Sequence, residues 1–250
     1  MRNRLKEILR QGKVALGATV SVGHPFITDV LGKIGFDFIN FDTQHTPLDI
    51  EIVQSMMESM SYSDVTPIVR VEWNDFAPIN RALDAGAHGI IVPMVNTKED
   101  ALKALQYASF APEGMRSYGP LRASLRDADY FATANKEILV LPQIETKEAL
   151  DNIESILSVD RIEAFFVGPY DLSMSLGVFT QWKHPVFEKA IDKILCVSEK
   201  TGKVPGMLAP IEEASKTIER GFKLLNIGRD TAFLAEAASS ALQKARATKP

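Results

Sequence analysis

The sequence contains a single cysteine, Cys196, among its 250 residues. A disulfide within the chain is therefore excluded, which is typical of proteins from a reducing compartment. Cys196 lies in the segment KAIDKILCVSE, whose apolar residues recur at helical spacing. We expect it to be a small buried residue of a helix, with no part in any chemistry.

Long apolar runs are also absent. No run approaches the roughly 20 residues that a membrane-spanning helix requires. The first segment, MRNRLKEILRQGK, is basic but interrupted by charge, and it lacks the apolar stretch of a signal peptide. We therefore expect a cytoplasmic protein that does not bind a membrane.

An excess of positive charge is missing as well. The chain has 28 Lys and Arg against 32 Asp and Glu, which gives a formal net charge of −4, and the basic residues are scattered. A surface that binds nucleic acid needs clustered Lys and Arg, so nucleic acid is not expected as a partner. The phosphate-binding patterns G-x-G-x-x-G and G-x-x-x-x-G-K-[ST] and the nucleophile pattern G-x-S-x-G do not occur.

What the sequence does contain is a regular alternation of two kinds of segment. Short apolar runs rich in β-branched residues cover residues 15–22, 36–41, 66–71, 88–93, 138–144, 162–167, 204–208 and 223–228. Longer amphipathic segments separate them, which predicts parallel strands joined by helices. Eight such units fill 250 residues, so we predict an α/β fold with one (β/α)₈ TIM-barrel domain over residues 1–250. An open doubly wound sheet is the alternative.

One connection is too long for a simple turn. Residues 109–137 precede the fifth strand and carry Arg116, Arg122, Arg126, Tyr118 and Tyr130. Connections of this length are usually functional or contact a partner. A solvated excursion fits the sequence equally well.

Ionisable and amide side chains follow several of the predicted strands where each strand ends. They are Asp42 and His45 after the second strand, Arg70 at the third, Gln143 and Glu145 at the fifth, and Asp171 after the sixth. In a barrel of this kind the working face is the C-terminal end of the strands. We therefore expect these side chains to share one rim.

Glu145 and Asp171 are the main signal on this rim. Two carboxylates on adjacent strands repel each other unless a cation or a proton is shared. A hard divalent ion that keeps water ligands suits such a pair. The competing interpretation, at least as well supported by spacing alone, is that Glu145 caps the following helix and Asp171 caps a turn.

Arg70 and His45 also admit two interpretations each. An arginine that ends an apolar strand is costly to bury unpaired, so Arg70 either pairs with a structural carboxylate or binds an anionic substrate. A lone histidine is more often structural than catalytic, but the position of His45 beside Asp42 favours a role in proton transfer.

Six segments together resemble a known family. In chain order they are FDFINFDTQHTPLD, IVRVEW, ALDAGAHGIIVPMVNTKEDA, PEGMRS, LPQIETKEAL and FFVGPYDLSMSLG. This ordered set is similar to the HpcH/HpaI aldolases, which are metal-dependent class II pyruvate aldolases. The resemblance extends from about Gly17 to Leu234.

The resemblance implies a role for each matching residue. Glu145 and Asp171 would hold Mg²⁺, Mn²⁺ or Co²⁺, and Arg70 would bind a 2-oxo acid and stabilise its enolate. His45, linked to Asp84, would take part in proton transfer, with Asp42 and Gln44 in support. The remaining substrate-binding residues would be Gln143, Gly168, Pro169 and Ser173.

The resemblance also implies an activity and an assembly. The activity is reversible aldol cleavage of a 4-hydroxy-2-oxo acid to pyruvate and an aldehyde. The alternatives are decarboxylation of oxaloacetate, a catalytically inactive 2-oxo-acid-binding barrel, and a citrate-lyase-like cleavage of a CoA ester, for which the sequence shows no adenine or phosphate site. The assembly is a homohexamer, a trimer of dimers in which the C-terminal helix is exchanged between subunits.

The sequence departs from the family pattern at three positions. The family usually has a glutamate where this chain has Gln44, which removes a charge near the expected metal. Ser117 replaces a glycine in PEGMRS, and Arg229 adds a cation at the end of the eighth strand. We therefore expect the substrate pocket, and the pH dependence of the activity, to differ from those of typical family members.

Overall fold

A computed structural model describes residues 1–247 of the chain, so the last three residues of the predicted domain lie outside the described part. Eight parallel strands form a closed barrel in chain order. They are β1 (Ala15–Val20), β2 (Phe38–Asp42), β3 (Thr66–Arg70), β4 (Gly89–Val92), β5 (Leu139–Ile144), β6 (Ala164–Val167), β7 (Val204–Leu208) and β8 (Leu224–Arg229). Because β1 pairs with β8, the predicted (β/α)₈ barrel is confirmed and the open sheet is wrong.

Helices precede β1, separate the strands and end the described chain. They are α1 (Arg4–Arg10), α2 (Pro25–Ile34), α3 (Ile50–Ser59), α4 (Phe76–Asp84), α5 (Lys98–Ala108), α6 (Leu121–Arg126), α7 (Tyr130–Glu137), α8 (Lys147–Asp151), α9 (Ile153–Leu157), α10 (Pro169–Ser175), α11 (Pro185–Thr201), α12 (Ile211–Glu219) and α13 (Asp230–Ala247). Local chemistry sets their ends. Thr97, for example, forms a reciprocal capping box with Asp100 at the start of α5. Gly202 ends α11 in the left-handed conformation, with φ of 68°.

The lower half of the barrel interior is apolar. Leu5 and Leu9 of α1 close its N-terminal end and pack with the inward-facing side chains of the strands, including Phe38. The Phe38 ring fills the centre because its neighbour on β1 is Gly17, where a Cβ atom would lie 2.5 Å from the ring. The larger apolar cluster lies between the strands and the surrounding helices.

The barrel interior becomes polar towards the C-terminal ends of the strands. Thr19, Asn40 and Asn226 face inward from β1, β2 and β8, and each is less than a tenth exposed. The amide groups of Asn40 and Asn226 both donate to the Thr19 hydroxyl. This polar layer lies beneath the predicted rim.

The long connection lies at the opposite, N-terminal end of the barrel. It contains α6 and α7, and its Arg116 is buried. Arg116 donates to Asp84 at 2.6 Å and to the Tyr130 hydroxyl at 2.9 Å. Arg116 of this connection therefore stabilises the fold and does not reach the rim at the C-terminal ends of the strands.

Cys196 is exposed, which corrects the expectation that it is buried. The buried face of α11 is formed by Phe187, Ala190, Ile191, Ile194, Val197 and Ser198. Cys196 follows Ile194 by two residues, a spacing that turns a helical side chain away from that face.

The final helix, α13, packs on its own barrel only at its start. Asp230 is its one buried residue among those described, while Leu234 and Leu242 are 70% and 52% exposed. The ring of Phe233 stacks on Phe36 with centroids 6.3 Å apart. Across residues 1–247, no helix combines the length and hydropathy required to cross a bilayer.

Candidate active site

Asp42, the last residue of β2, organises one side of the rim. Its carboxylate accepts hydrogen bonds from Arg70 Nε at 3.0 Å and Nη2 at 2.6 Å. It also accepts from the backbone N–H groups of Gln44 and His45, both at 3.2 Å. Burial alone would raise the pKa of Asp42, but the hydrogen bonds and charge of Arg70 outweigh it and hold the pKa below its usual value. Asp42 therefore fixes both the arginine and the His45 loop.

Arg70 combines the two roles that the sequence left open. Its Nε and Nη2 edge is paired with Asp42, and the side chain stays 17% exposed. Among the described residues, none forms a hydrogen bond with the Nη1 atom of Arg70. Arg70 is thus held by a buried carboxylate while its remaining edge is available to an anionic ligand.

Glu145 directly follows β5 and is 2% exposed. Its carboxylate accepts from the backbone N–H of Met94 at 2.7 Å and from the Gln143 amide. Burial raises its pKa, and the negative charge of Asp171 acts in the same direction. The carboxylate of Glu145 is therefore desolvated and within electrostatic range of a second carboxylate.

Asp171 is the third residue of α10, which begins at Pro169, one residue beyond the end of β6. Unlike Glu145 it is exposed. The residue between strand and helix is Gly168, where a Cβ atom would lie 2.6 Å from Glu145 Oε2 and 2.8 Å from Gln143 Nε2. Only glycine allows the backbone of β6 to approach these side chains so closely.

This arrangement fits a hard divalent cation. Within residues 1–247, no three His, Cys, Asp or Glu side chains form a ready-made metal cluster. Two carboxylates are nevertheless sufficient for Mg²⁺ or Mn²⁺, because such ions retain water and accept substrate oxygens. A cation would offset both the desolvation of Glu145 and its repulsion with Asp171. Among residues 1–247, the buried Oε1 of Gln143 has no hydrogen-bond partner, and the amide of the same side chain donates to Glu145.

His45 and Gln44 occupy the loop that follows Asp42. His45 is exposed, and its ring makes no hydrogen bond to the described residues. Gln44 is half-buried, and its buried Oε1 atom has no hydrogen-bond partner in the described part of the chain. An amide at this position therefore leaves one acceptor unused on the rim.

Asp84 does not reach His45 within one chain. It is the last residue of α4, whose C-terminus precedes β4, so it lies at the N-terminal end of the barrel. His45 follows β2 at the other end. The carboxylate of Asp84 instead forms an ion pair with Arg116 at 2.6 Å. The predicted His45–Asp84 pair stays a prediction that needs a second chain.

Ser173 was predicted to bind substrate, and in the structure its hydroxyl is engaged within the fold. The residue is completely buried. Its hydroxyl donates to the carbonyl of Tyr170 at 2.8 Å and accepts from the N–H of Thr180 at 3.2 Å. Ser173 thus ties α10 to the loop that follows it.

Sequence reasoning missed Met94 and the polar layer. Met94 adopts a left-handed conformation with φ of 55°, which is rare for a residue other than glycine and directs its N–H at Glu145. Nothing in the sequence signals this conformation. A signal did exist for Asn40, because it lies between Phe38 and Asp42 at the spacing of two that faces one side of a strand.

Comparisons with known proteins agree with this geometry. Residues 19–237 match the model of the family described as HpcH/HpaI aldolase/citrate lyase. A 4-hydroxy-2-oxo-heptane-1,7-dioate aldolase from Shigella sonnei is 34% identical over 245 residues, which cover 96% of this chain and 94% of the relative.

Two solved structures are similar over almost the whole chain. A HpcH/HpaI aldolase/citrate lyase family protein from Burkholderia cenocepacia has a TM-score of 0.93 at 30% identity, covering 98% of this chain and 99% of the other. A citrate synthase has a TM-score of 0.88 at 28% identity, covering 98% of each chain. The chain therefore belongs to the HpcH/HpaI aldolase/citrate lyase family and is a lyase.

Proposed function

We propose that this enzyme catalyses the reversible aldol cleavage of a 4-hydroxy-2-oxo acid to pyruvate and an aldehyde. The observation that carries the proposal is the buried Glu145 carboxylate, which lies within electrostatic range of both Asp171 and Arg70. Glu145 and Asp171 would hold a divalent cation, Mg²⁺, Mn²⁺ or Co²⁺. When bound, the ion would supply a Lewis acid that makes the methyl protons of pyruvate acidic.

Arg70 binds and stabilises the oxo acid in this proposal. Its free edge donates to the anionic end of pyruvate, and its charge stabilises the enolate oxygen as negative charge develops there. Asp42 keeps the guanidinium in place through two hydrogen bonds. Gln143 and the backbone at Gly168 and Pro169 close the opposite side of the pocket.

His45 transfers the proton. It takes one proton from the methyl carbon of pyruvate, and the resulting enolate carbon attacks the aldehyde carbonyl. One carbon–carbon bond forms as the carbonyl π bond breaks, and His45 returns its proton to the new alkoxide to give the 4-hydroxy group. The same steps in reverse cleave the substrate. The His45 ring is free to act because it is exposed and makes no hydrogen bond to the described residues.

The proposal is tested with a chelator and one variant. Aldol cleavage measured by pyruvate release should stop in EDTA and recover on addition of Mn²⁺, and Arg70→Ala should abolish it. Full activity in EDTA, or in Arg70→Ala, would contradict the proposal. Release of CO₂ from oxaloacetate with no aldol cleavage would instead identify a decarboxylase. Tight oxalate binding without either reaction would identify an inactive 2-oxo-acid-binding barrel.

We further propose that the protein is a homo-oligomer, a hexamer built as a trimer of dimers, in which α13 is exchanged between subunits. Apolar side chains on α13 are exposed at Leu234 and Leu242, and α2 exposes a matching stripe at Phe26, Val30 and Ile34. The stripe on α2 has the spacing of one helix face. Light scattering should give a hexamer for the unaltered chain and smaller species for the double variant Leu234→Glu, Leu242→Glu. A hexamer in both would show that α13 does not hold the assembly.

A further inference from the structure

A second cleft lies outside the barrel, between α11 and α12. Its volume is about 700 Å³, within the range of small-molecule sites. Pro169 and Tyr170 form its upper end, and Met207, Leu208 and Ala209, which end and follow β7, form its base. The cleft shares Pro169 with the proposed substrate pocket, but Asp42, Arg70 and Glu145 do not line it.

One wall of the cleft is aromatic. The ring of Trp182 meets Tyr170 edge-on with centroids 5.2 Å apart and meets Phe187 at 5.4 Å. Trp182 and Tyr170 remain 38% and 46% exposed, so their faces are accessible from the cleft. Aromatic walls of this kind bind flat apolar groups by offset or edge-on ring contacts.

The wall is held in a fixed position. Thr180, in the loop between α10 and α11, adopts φ of 57° and donates its N–H to the buried hydroxyl of Ser173. The same hydroxyl donates to the carbonyl of Tyr170. The loop that carries Trp182 is therefore tied to α10, which makes the cleft a preformed site.

The charges around the cleft leave one positive group without a partner. Lys216 pairs with Glu213 at 3.3 Å, and Arg220 pairs with Glu188 at 3.0 Å and with Asp192 at 2.9 Å. Lys183 is exposed and, among residues 1–247, has no carboxylate within ion-pair distance. A ligand with a single negative charge complements this rim.

His184, beside Lys183, adds a second donor. Its Nδ1 atom accepts from the N–H of Val186 at 3.3 Å, so a neutral imidazole carries its proton on Nε2. We propose that the α11–α12 cleft is a binding site for a small aromatic monocarboxylate. The ring lies against Trp182 and Tyr170, and the carboxylate accepts from Lys183 and His184.

Tryptophan fluorescence tests this site directly. The chain has two tryptophans, so Trp73→Phe leaves Trp182 as the only reporter. The probe is 3-phenylpropanoate, which does not absorb where tryptophan is excited. We expect a saturable fluorescence change with a dissociation constant of about 100 µM to 1 mM. The neutral analogue 3-phenylpropan-1-ol should bind about tenfold more weakly, because it lacks the charge.

Variants test whether the probe binds in this cleft or elsewhere on the protein. In the Trp73→Phe background, Lys183→Gln should weaken 3-phenylpropanoate binding about tenfold. The matched control Lys193→Gln, on α11 but outside the cleft, should not change it, and Arg70→Ala should also leave it intact. The proposal is overturned if the fluorescence change does not saturate, if Lys183→Gln binds as well as its parent, or if Arg70→Ala removes the binding.

Discussion

The two ends of the barrel use charged residues differently. At the N-terminal end, Arg116 is buried against Asp84 and Tyr130, and its guanidinium lies 4.4 Å from the centroid of the Phe110 ring. At the C-terminal end, Glu145 is buried, accepts no hydrogen bond from a cationic group among the described residues, and faces the charge of Asp171. Arg116 is therefore paired within the chain, as is Asp42 through Arg70, whereas Glu145 is left to be completed from outside.

This difference indicates a structural role for Arg116 and a ligand-binding role for Glu145. Burying a carboxylate without a cation destabilises a protein, so such a group is typical of a site whose partner is a ligand. A buried ion pair within the chain contributes to the fold, and removing one partner leaves the other charge buried and unpaired. Polar residues are frequent in both regions. In the connection over residues 109–137 they stabilise the fold, whereas at the ends of β5 and β6 they are arranged to bind a ligand.

The largest expected effect comes from neutralising the unpaired charge. Glu145→Gln should weaken Mn²⁺ binding about 1000-fold, because one of only two protein carboxylates is lost. Calorimetric titration measures this. The control Glu148→Gln, on exposed α8, should bind Mn²⁺ like the unaltered chain. In EDTA, Glu145→Gln should be at least as stable as its parent, and a large loss of stability would show that Glu145 is structural.

Removing the buried guanidinium at the N-terminal end should instead lower the stability of the fold. Arg116→Met should lower the free energy of unfolding by about 3 kcal/mol, because it leaves Asp84 and the Tyr130 hydroxyl without a donor. Urea unfolding measures the change. The matched variant Arg126→Met removes an exposed ion pair with Glu58 and should cost no more than about 1 kcal/mol. Equal losses in the two variants would contradict a special role for Arg116.

Acid should destabilise the N-terminal end through His88. Burial, with the nearby N-terminal amine, lowers the pKa of His88 to about 4. The unfolded chain binds this proton near pH 6.5, so stability is complete above that pH and falls as the pH decreases towards 4. The loss from this group should reach about 1 to 3 kcal/mol, measured by urea unfolding across that range.

The variant His88→Gln should flatten this part of the stability profile. His24→Asn, at the exposed cap of α2, serves as the control and should keep the slope of the unaltered chain. An unchanged slope in His88→Gln would show that other groups carry the acid sensitivity.

The smallest expected effect is at Gln44. Gln44→Glu places a carboxylate where a buried amide oxygen has no hydrogen-bond partner among the residues that the structure describes. A charged acceptor binds a donor from the metal's water shell more strongly than an amide does, so pyruvate enolisation should accelerate about tenfold. Methyl proton exchange measures the rate. A slower rate would mean that the added charge disturbs the Asp42–Arg70 pair.

The sequence predicted the barrel well because local pattern and long-range packing agree there. All eight predicted strands overlap the observed ones, and the rim positions of Arg70, Glu145 and Asp171 follow from where strands end. Strand polarity also places Arg116 at the N-terminal end of the barrel, because its segment connects the C-terminus of α5 to the start of β5.

Other features depend on contacts that no pattern encodes. The left-handed conformation of Met94 is stabilised by Glu145, which is 51 residues away. The burial of Ser173 depends on the fold of the loop that ends at Thr180. Cys196 looked buried because it adjoins apolar residues, but helical phase places it outside the buried face of α11.

The central claim is that the C-terminal rim generates the enolate of pyruvate when a divalent cation is bound. Exchange of the pyruvate methyl protons in D₂O, followed by NMR, tests it without knowledge of the aldehyde. We expect rapid deuterium incorporation with Mg²⁺, none above background in EDTA, and none with Arg70→Ala. Exchange that persists in EDTA, or a methyl group that stays fully protonated with Mg²⁺ present, would contradict it.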